Sequence, residues 1–256
     1  MTGFKEKLEN LYLSYKHKFS SKDPVWILHR FQDEKDIELI GLITAAYAYG
    51  SVEQINAFIE KLLKKTGNKP YEFTINFEKR KDKKYLNGLN YRFNTSGDLV
   101  NLLDSLGRNI KEYSSLKNLF LLNYHDDDGN IINALSDFTG RLNASGKQKS
   151  SRYYHYLLSN PIKGSTCKRM NLFLRWMVRK DEIDLGVWGK VDKAKLIMPV
   201  DVHIARIAKS LGLVNRKSID LKFAVELTGR LKEYDACDPV KYDFALCHIG
   251  MDKKEF

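Results

Sequence analysis

The residue of this chain best placed for chemistry is an acid at a predicted helix start. Asp201 follows Pro199, which favours an extended entry, and aspartate is a strong N-cap type. Apolar residues at helical spacing come next, at Ile204, Ile207, Ala208 and Leu211, before Gly212 as the predicted stop. Backbone N–H groups and the helix dipole keep an N-cap carboxylate ionised. Such a charge either only caps its helix or also stabilises a developing cation, and both remain open here.

A short connection upstream of this acid is suited to binding an anion. Asn160-Pro161 ends a predicted helix over residues 152–159, and Gly164 lies in the connection that follows. The next helix is predicted over residues 166–179. Free N–H groups at such a helix start can bind a phosphate.

That next helix carries a basic stripe beside its apolar face. The apolar face consists of Met170, Phe173, Leu174, Met177 and Val178. The stripe consists of Lys168, Asn171, Arg175 and Arg179, at offsets of three and four residues. It is either a solvated face or a phosphate-binding surface. The position of Lys168, next to the hairpin and upstream of Asp201, favours a functional role for that lysine.

The composition is that of a folded basic protein. The 256 residues are 43% apolar, and 43 Lys and Arg against 32 Asp and Glu give a net charge of +11. This excess suits a polyanionic partner, either nucleic acid or an anionic membrane surface. The three cysteines form no CxxC pair, so we expect reduced thiols with no zinc site or other cofactor. Without a secretory signal or a membrane-length apolar run, we expect a cytoplasmic monomer that does not enter a membrane.

Helical periodicity dominates the chain, and strand-like alternation is almost absent. We therefore predict an all-α fold, with a capping box at Ser51 and a solvated loop at residues 79–84. A turn is favoured over a metal loop at residues 125–130. The predicted helices cover residues 4–15, 36–49, 51–62, 98–110, 115–122, 130–142, 152–159, 166–179, 201–211, 221–231 and 239–250.

Two motifs together resemble the helix-hairpin-helix base-excision DNA glycosylases, the HhH-GPD superfamily. Gly164-Ser165-Thr166-Cys167-Lys168 has that family's glycine-to-lysine spacing, and Pro199-Val200-Asp201-Val202-His203 is similar to its aspartate motif. Residues 38–62 and 244–250 resemble two further helical regions of the family. The resemblance implies one domain over residues 1–256, built from helical subdomains at about 30–150 and 151–256. It also implies an active-site cleft between the subdomains and an N-terminal helix that packs on the C-terminal part.

The resemblance further implies excision of a damaged base, such as an oxidised one, from duplex DNA, with AP-lyase activity. Lys168 would be the nucleophile that attacks C1′, and Asp201 the electrostatic stabiliser and proton acceptor. Arg169 and burial are expected to lower the pKa of Lys168. The implied DNA contacts are Gly164, Ser165, Thr166, Arg169, Arg175, Arg179, Tyr49, Gly50 and His203. Core packing remains the alternative for Tyr49, and a backbone-bonded core role is favoured for His203.

Three departures from the family pattern stand beside the resemblance. Thr166 replaces the second hairpin glycine, and an insertion around residues 181–195 lengthens the path from Lys168 to Asp201. The cysteine quartet that holds an iron–sulfur cluster in some members is absent. Within the insertion, Trp188 is the tryptophan expected to face a substrate. The alternative function is a non-catalytic DNA- or RNA-binding protein on the same scaffold.

Overall fold

The structure, a computed structural model, describes residues 2–17, 22–144 and 151–252, so the last four residues of the predicted domain lie outside it. Over these residues the fold is all-helical, as predicted, with two isolated β-bridges and no strand. The chain forms two compact units. Unit 1 comprises Met1–Ser21, Asp127–Ile132 and Pro161–Phe256, and unit 2 comprises Lys22–Asp126 and Asn133–Asn160. Residues 151–160 thus group with unit 2, and α1 (Thr2–Tyr15) groups with unit 1.

The α-helices of unit 1 pack around a core that α11 supplies in large part. Met170, Phe173, Leu174 and Met177 are fully buried, so the predicted apolar face of that helix is confirmed. Helix α12 packs against α14, and α14 packs against α1. The helices are α1 (Thr2–Tyr15), α11 (Lys168–Val178), α12 (Val202–Ser210), α13 (Leu221–Lys232) and α14 (Asp243–Asp252).

The α-helices of unit 2 pack mainly around the long helix α7. This helix begins with a capping box, in which Thr95 accepts from the Asp98 N–H and Asp98 accepts from the Thr95 N–H. Helices α5, α8 and α10 pack against α7. The helices are α2 (Val25–Leu28), α3 (Glu34–Ala46), α4 (Val52–Lys65), α5 (Pro70–Asn76), α6 (Lys79–Asp82), α7 (Ser96–Tyr113), α8 (Leu116–Leu121), α9 (Ile132–Ala144) and α10 (Arg152–Leu157). The first residue of α9, Ile132, is assigned to unit 1.

Side-chain caps explain most of the helix starts that the sequence predicts. Ser51 accepts from the Gln54 N–H at the start of α4, and Asp220 accepts from the Phe223 N–H at the start of α13. The Asn130 side chain accepts from the Ile132 N–H at the start of α9. Residues 125–130 therefore contain a helix-capping turn, which is the favoured reading of that loop.

Two predicted segments differ in the structure. The expected loop at residues 79–84 is α6 followed by the 3₁₀ turn Lys83–Leu86, because the Asp82 carboxylate accepts from the Glu78 N–H and Lys81 pairs with Glu78. The last helix begins at Asp243 and not at residue 239. Asp238 does not cap a helix, because its carboxylate binds Arg179, and turns occupy the residues between.

Candidate active site

The start of α12 fixes both oxygens of the Asp201 carboxylate. Its Oδ1 accepts from the His203 N–H at 2.9 Å and from the Ile204 N–H at 3.0 Å. Its Oδ2 lies 3.2 Å from Lys168 Nζ. One oxygen therefore caps the helix while the other binds the ammonium group, and a role of Asp201 in stabilising a developing cation stays a prediction.

Contacts within unit 1 bring the start of α11 to the start of α12. Lys168 is the first residue of α11, and Cys167 before it has φ +49°. The Thr166 hydroxyl donates to the Val200 carbonyl at 3.1 Å, and the Asn171 amide donates to the Thr166 carbonyl at 2.9 Å. The two helix starts are thus held together by the hairpin itself.

The hairpin of residues 164–168, which ends at Lys168 of the ion pair, exposes part of its backbone. Gly164 has φ +78°, a conformation that L side chains rarely adopt, and is exposed. Ser165 and Thr166 are half-buried, and the Leu221 N–H donates to the Gly164 carbonyl. The threonine that replaces the second hairpin glycine does not have a positive φ, because the left-handed residue is Cys167 instead.

Electrostatics keep the pair in its charged form. Burial lowers the pKa of Lys168, but the attraction of Asp201 raises it to above its ordinary value. Burial likewise raises the pKa of Asp201, but Lys168 and the Ile204 N–H bring it below its ordinary value. The expectation that the pKa of Lys168 would be lowered is therefore wrong: the carboxylate outweighs burial. Since 30% of the Lys168 side chain and 21% of the Asp201 side chain are exposed, solvent reaches both groups.

The arginines of the predicted stripe do not face solvent. Arg175 and Arg179 are 3% and 4% exposed, and Arg169 is also buried. Arg175 pairs with Asp184 and Asp243. The expectation of a solvent-facing basic stripe is wrong for Arg175 and Arg179, because their guanidinium groups are buried and bound to carboxylates. Neither group is placed to reach a DNA phosphate in this structure.

Arg179 and the carboxylates bound to it complete a buried ionic cluster. Arg179 binds Asp181 at 3.0 Å and Asp238 at 2.8 Å, and it also pairs with Asp184. We call Arg175, Arg179, Asp181, Asp184, Asp238 and Asp243 the ionic cluster. Each guanidinium group contacts at least two carboxylates, which suits its planar, multiple-donor geometry.

Asp243 is a buried carboxyl group close to the pair that sequence reasoning missed. It is the first residue of α14 and is fully enclosed. Burial raises the pKa of Asp243 to about 6, although Arg175 and Lys168 act to lower it, and the charge of Asp201 adds to the rise. Asp243 is thus near enough to both members of the pair to feel their charges. Nothing in its local sequence, Tyr242-Asp243-Phe244, indicates this position.

The insertion ends α11 and supplies part of the ionic cluster. The N–H groups of Leu185 and Gly186 donate to the Trp176 carbonyl, and the Trp188 N–H donates to the Met177 carbonyl. Trp188 is fully buried, with its ring edge-on to Phe173. The expectation that Trp188 would face a substrate is therefore wrong, because the indole packs in the core of unit 1.

The remaining predicted contact residues lie at two different places. His203 is half-buried beside Asp201 in unit 1, and both of its predicted roles stay open. Tyr49 and Gly50 are in unit 2, where the Tyr49 hydroxyl donates to the Asn94 side chain. Gly50 has φ +104°, and a Cβ there would lie 2.6 Å from the Arg92 guanidinium. Tyr49 is half-buried, so its implied contact with DNA stays a prediction.

Unit 1 is an all-helical body whose two adjacent helix starts present a lysine–aspartate ion pair to solvent. This chain belongs to the family described as "Protein of unknown function (DUF2400)", whose model matches residues 23–252. No curated protein and no solved structure matches the chain. Within the described residues, the helices are all too short or too polar to cross a bilayer.

Proposed function

We propose that this protein is a DNA glycosylase with AP-lyase activity that excises a damaged base from duplex DNA. The observation that carries the proposal is the 3.2 Å contact between Lys168 Nζ and Asp201 Oδ2 at two adjacent, partly exposed helix starts. An amine that can attack C1′ and an ionised carboxylate that can stabilise positive charge on the sugar together suit a glycosylase that also cleaves the strand.

Asp201 has the first role. Breaking the glycosidic bond places positive charge on the sugar, and a fixed carboxylate stabilises that charge without having to reorganise. The bonds from the His203 and Ile204 N–H groups hold Asp201 in place and keep it ionised. The target nucleotide must leave the duplex to reach the pair, at a cost of a few kcal/mol.

Lys168 has the second role, and it must lose a proton first. A sugar that enters between Lys168 and Asp201 separates the two charges and removes the attraction that raises the lysine pKa. Burial then favours the neutral amine, and Asp201 accepts the proton. The amine nitrogen bonds to C1′ as the base departs with the electron pair of the glycosidic bond. Ring opening, with transfer of the ammonium proton to O4′, gives a Schiff base. Loss of a C2′ proton then drives β-elimination, in which the C3′–O bond breaks and the 3′ phosphate leaves with its electron pair.

The hairpin has a supporting role in the proposal. Its exposed backbone at Gly164, beside Ser165 and Thr166, suits a DNA phosphate next to the extruded nucleotide. Arg175 and Arg179 are not part of the proposed DNA contact, since both are enclosed in the ionic cluster.

Borohydride trapping tests the proposal directly. The protein is incubated with duplexes from a lesion panel and with an abasic-site duplex, and covalent adducts and released bases are measured. We expect an adduct that Lys168→Gln abolishes and Asp201→Asn reduces, whereas Lys190→Gln, at an exposed lysine of the insertion, leaves it unchanged. Absence of both the covalent adduct and base release across the panel would refute the proposed glycosylase and AP-lyase activity.

The second candidate is a non-catalytic DNA- or RNA-binding protein. The resting ion pair favours it, because a lysine held as an ammonium ion by Asp201 is not a nucleophile. This candidate predicts salt-sensitive nucleic-acid affinity that Lys168→Gln and Asp201→Asn leave within about twofold. Parallel titrations with duplex DNA, single strands and structured RNA identify the preferred partner.

A further inference from the structure

A basic cavity lies on unit 2, and its lining includes no residue used in the proposed chemistry. It has a volume of about 520 Å³ and is lined by Lys79, Arg80, Lys83, Asn87, Ser96 and Asn101, among others. Three cationic side chains and several amide or hydroxyl groups therefore share one concave surface, and no carboxylate lines it. This donor set suits an anion with several oxygen atoms, such as a phosphodiester.

The acids closest in sequence are turned to other partners. Glu78 pairs with Lys81 at 2.7 Å, and the Asp82 carboxylate accepts from the Glu78 N–H. Asp98, in the first turn of α7, is buried and bonds with Thr95 and Ser151. None of these three carboxylates lines the basic cavity, so the charges on its lining are positive. The positive end of the α7 dipole adds to these charges, because Ser96 is the first residue of that 18-residue helix.

Exposed aromatic side chains stand on α10 and on the segment that precedes α7. Phe93 and Tyr153 stack with ring centroids 5.6 Å apart and planes 17° apart, although 58% and 47% of these residues are exposed. The Arg92 guanidinium lies over the rings of Phe93 and Tyr49, and Tyr156 is 59% exposed. We call Arg92, Phe93, Tyr153 and Tyr156 the stacking surface. Large exposed apolar groups in one place mark an interaction site.

Hydrogen bonds connect the stacking surface to a residue that lines the cavity. Tyr91 and Asn94 bond to each other through their backbones at 2.8 Å, which makes Arg92 and Phe93 the tip of a tight turn. The Asn94 side chain, 2% exposed, donates to the Tyr153 carbonyl and so ties the turn to α10. Asn90, on the same segment, accepts from the N–H of the cavity residue Ser96 at 2.8 Å.

We propose that unit 2 binds an unpaired nucleic-acid strand, with phosphates in the basic cavity and bases on the stacking surface. A cationic groove beside exposed aromatic rings is the arrangement by which proteins bind single strands without reading their sequence. An anionic membrane would use the cations but would not need flat, stacked rings held in a tight turn. The proposal goes beyond base excision and does not depend on Lys168 or Asp201.

Fluorescence anisotropy with oligonucleotides that carry no damaged base tests this surface in the full chain. The probes are an oligothymidylate, the matching oligouridylate, an abasic oligonucleotide of equal length and a duplex. The cavity variant carries Lys79→Gln, Arg80→Gln and Lys83→Gln. Its control removes the same charge at exposed lysines elsewhere in unit 2, with Lys64→Gln, Lys65→Gln and Lys111→Gln. Phe93→Ala tests stacking, and circular dichroism confirms that each variant is folded.

We expect the cavity variant to weaken oligothymidylate binding at least about tenfold and to reduce the log–log salt slope by about 2, since each lost phosphate contact on a single strand removes about 0.7. The control variant should change affinity less than about twofold. Phe93→Ala should cost at least about fivefold on oligothymidylate and leave abasic binding unchanged, because a stacked base contributes about 1–3 kcal/mol.

Three results would overturn the proposal. Equal losses in the cavity and control variants would mean that only overall charge is sensed. Equal losses of Phe93→Ala on the base-containing and abasic strands would mean that the ring is structural. Competition by thymidine monophosphate at the strand's own concentration would mean a small-nucleotide site. Comparing oligothymidylate with oligouridylate assigns the strand as DNA or RNA. Failure of the lesion assay leaves these outcomes unaffected, because strand binding by unit 2 requires neither Lys168 nor Asp201.

Discussion

The sharpest prediction concerns the free energy that couples Lys168 to Asp201. Asp201→Asn removes the charge but keeps the helix cap, because asparagine accepts the same N–H bonds at an N-cap. Lys168→Met removes the ammonium group and keeps most of the aliphatic stem. A double-mutant cycle of these two changes therefore isolates the ion pair from the packing and capping around it.

The structure sets the size of that coupling. At 3.2 Å and an effective dielectric constant of about 20, Coulomb's law gives about 5 kcal/mol as an upper bound. Solvent screens part of it, since 30% and 21% of the two side chains are exposed. Exposed pairs couple by about 0.2–1 kcal/mol, whereas breaking a buried pair costs about 3–5 kcal/mol. We therefore expect about 2 kcal/mol at neutral pH.

Urea denaturation of the wild type, both single variants and the double variant measures this energy. The coupling should be smaller at high salt, because the pair is partly exposed. It should also be lost in acid, as the pH falls through the lowered pKa of Asp201 and the carboxylate becomes neutral. A coupling below about 0.5 kcal/mol would contradict the pair as described, since non-interacting sites add to within that margin.

Three further predictions follow from the same region. The rate of borohydride trapping should be nearly constant around neutral pH and fall in acid, because Asp201, whose pKa is lowered, must be ionised to take the proton of Lys168; a rate that rises continuously with pH through neutrality would contradict this. The pKa of Asp243 is raised to about 6, so the folded protein keeps a proton that the unfolded chain has released. The free energy of unfolding of the wild type should therefore fall as the pH rises from about 4 to about 6. Urea titrations should show that Asp243→Asn removes about 3 kcal/mol of that fall, and identical pH profiles would argue against it. Arg179→Met should cost about 3–5 kcal/mol in the same assay because it leaves buried carboxylates without their partner, whereas Lys180→Met, at the exposed next residue, should stay within about 0.5 kcal/mol.

The sequence was a good guide wherever local chemistry decides the structure. The N-caps at Ser51 and Asp201 are readable because a hydroxyl or carboxylate satisfies N–H groups two or three residues later. The apolar face of α11 is readable from periodicity. Helix α5 was missed although Pro70 stands at its first turn, because no long apolar repeat follows.

Contacts between distant segments were beyond the sequence. Arg175 and Arg179 have the spacing of a surface stripe, and only the fold brings Asp184, Asp238 and Asp243 to them. The stacked rings of the stacking surface come from segments 60 residues apart, so neither residue alone indicates an exposed platform. The convergence of Lys168 and Asp201 was predicted through the family resemblance, and no residue between them in the sequence indicates it.

The ion pair of Lys168 and Asp201 has a consequence for how selectively Lys168 reacts in the proposed enzyme. The charge of Asp201 raises the pKa of Lys168, and the charge of Asp243, a member of the ionic cluster, adds to the rise. The lysine is therefore kept protonated while no substrate is bound. Free aldehydes and reducing sugars in the cell would therefore meet an unreactive ammonium ion, and only a molecule that displaces Asp201 would meet an amine. The same salt bridge that quiets the side chain thus protects it from being consumed by stray carbonyl compounds.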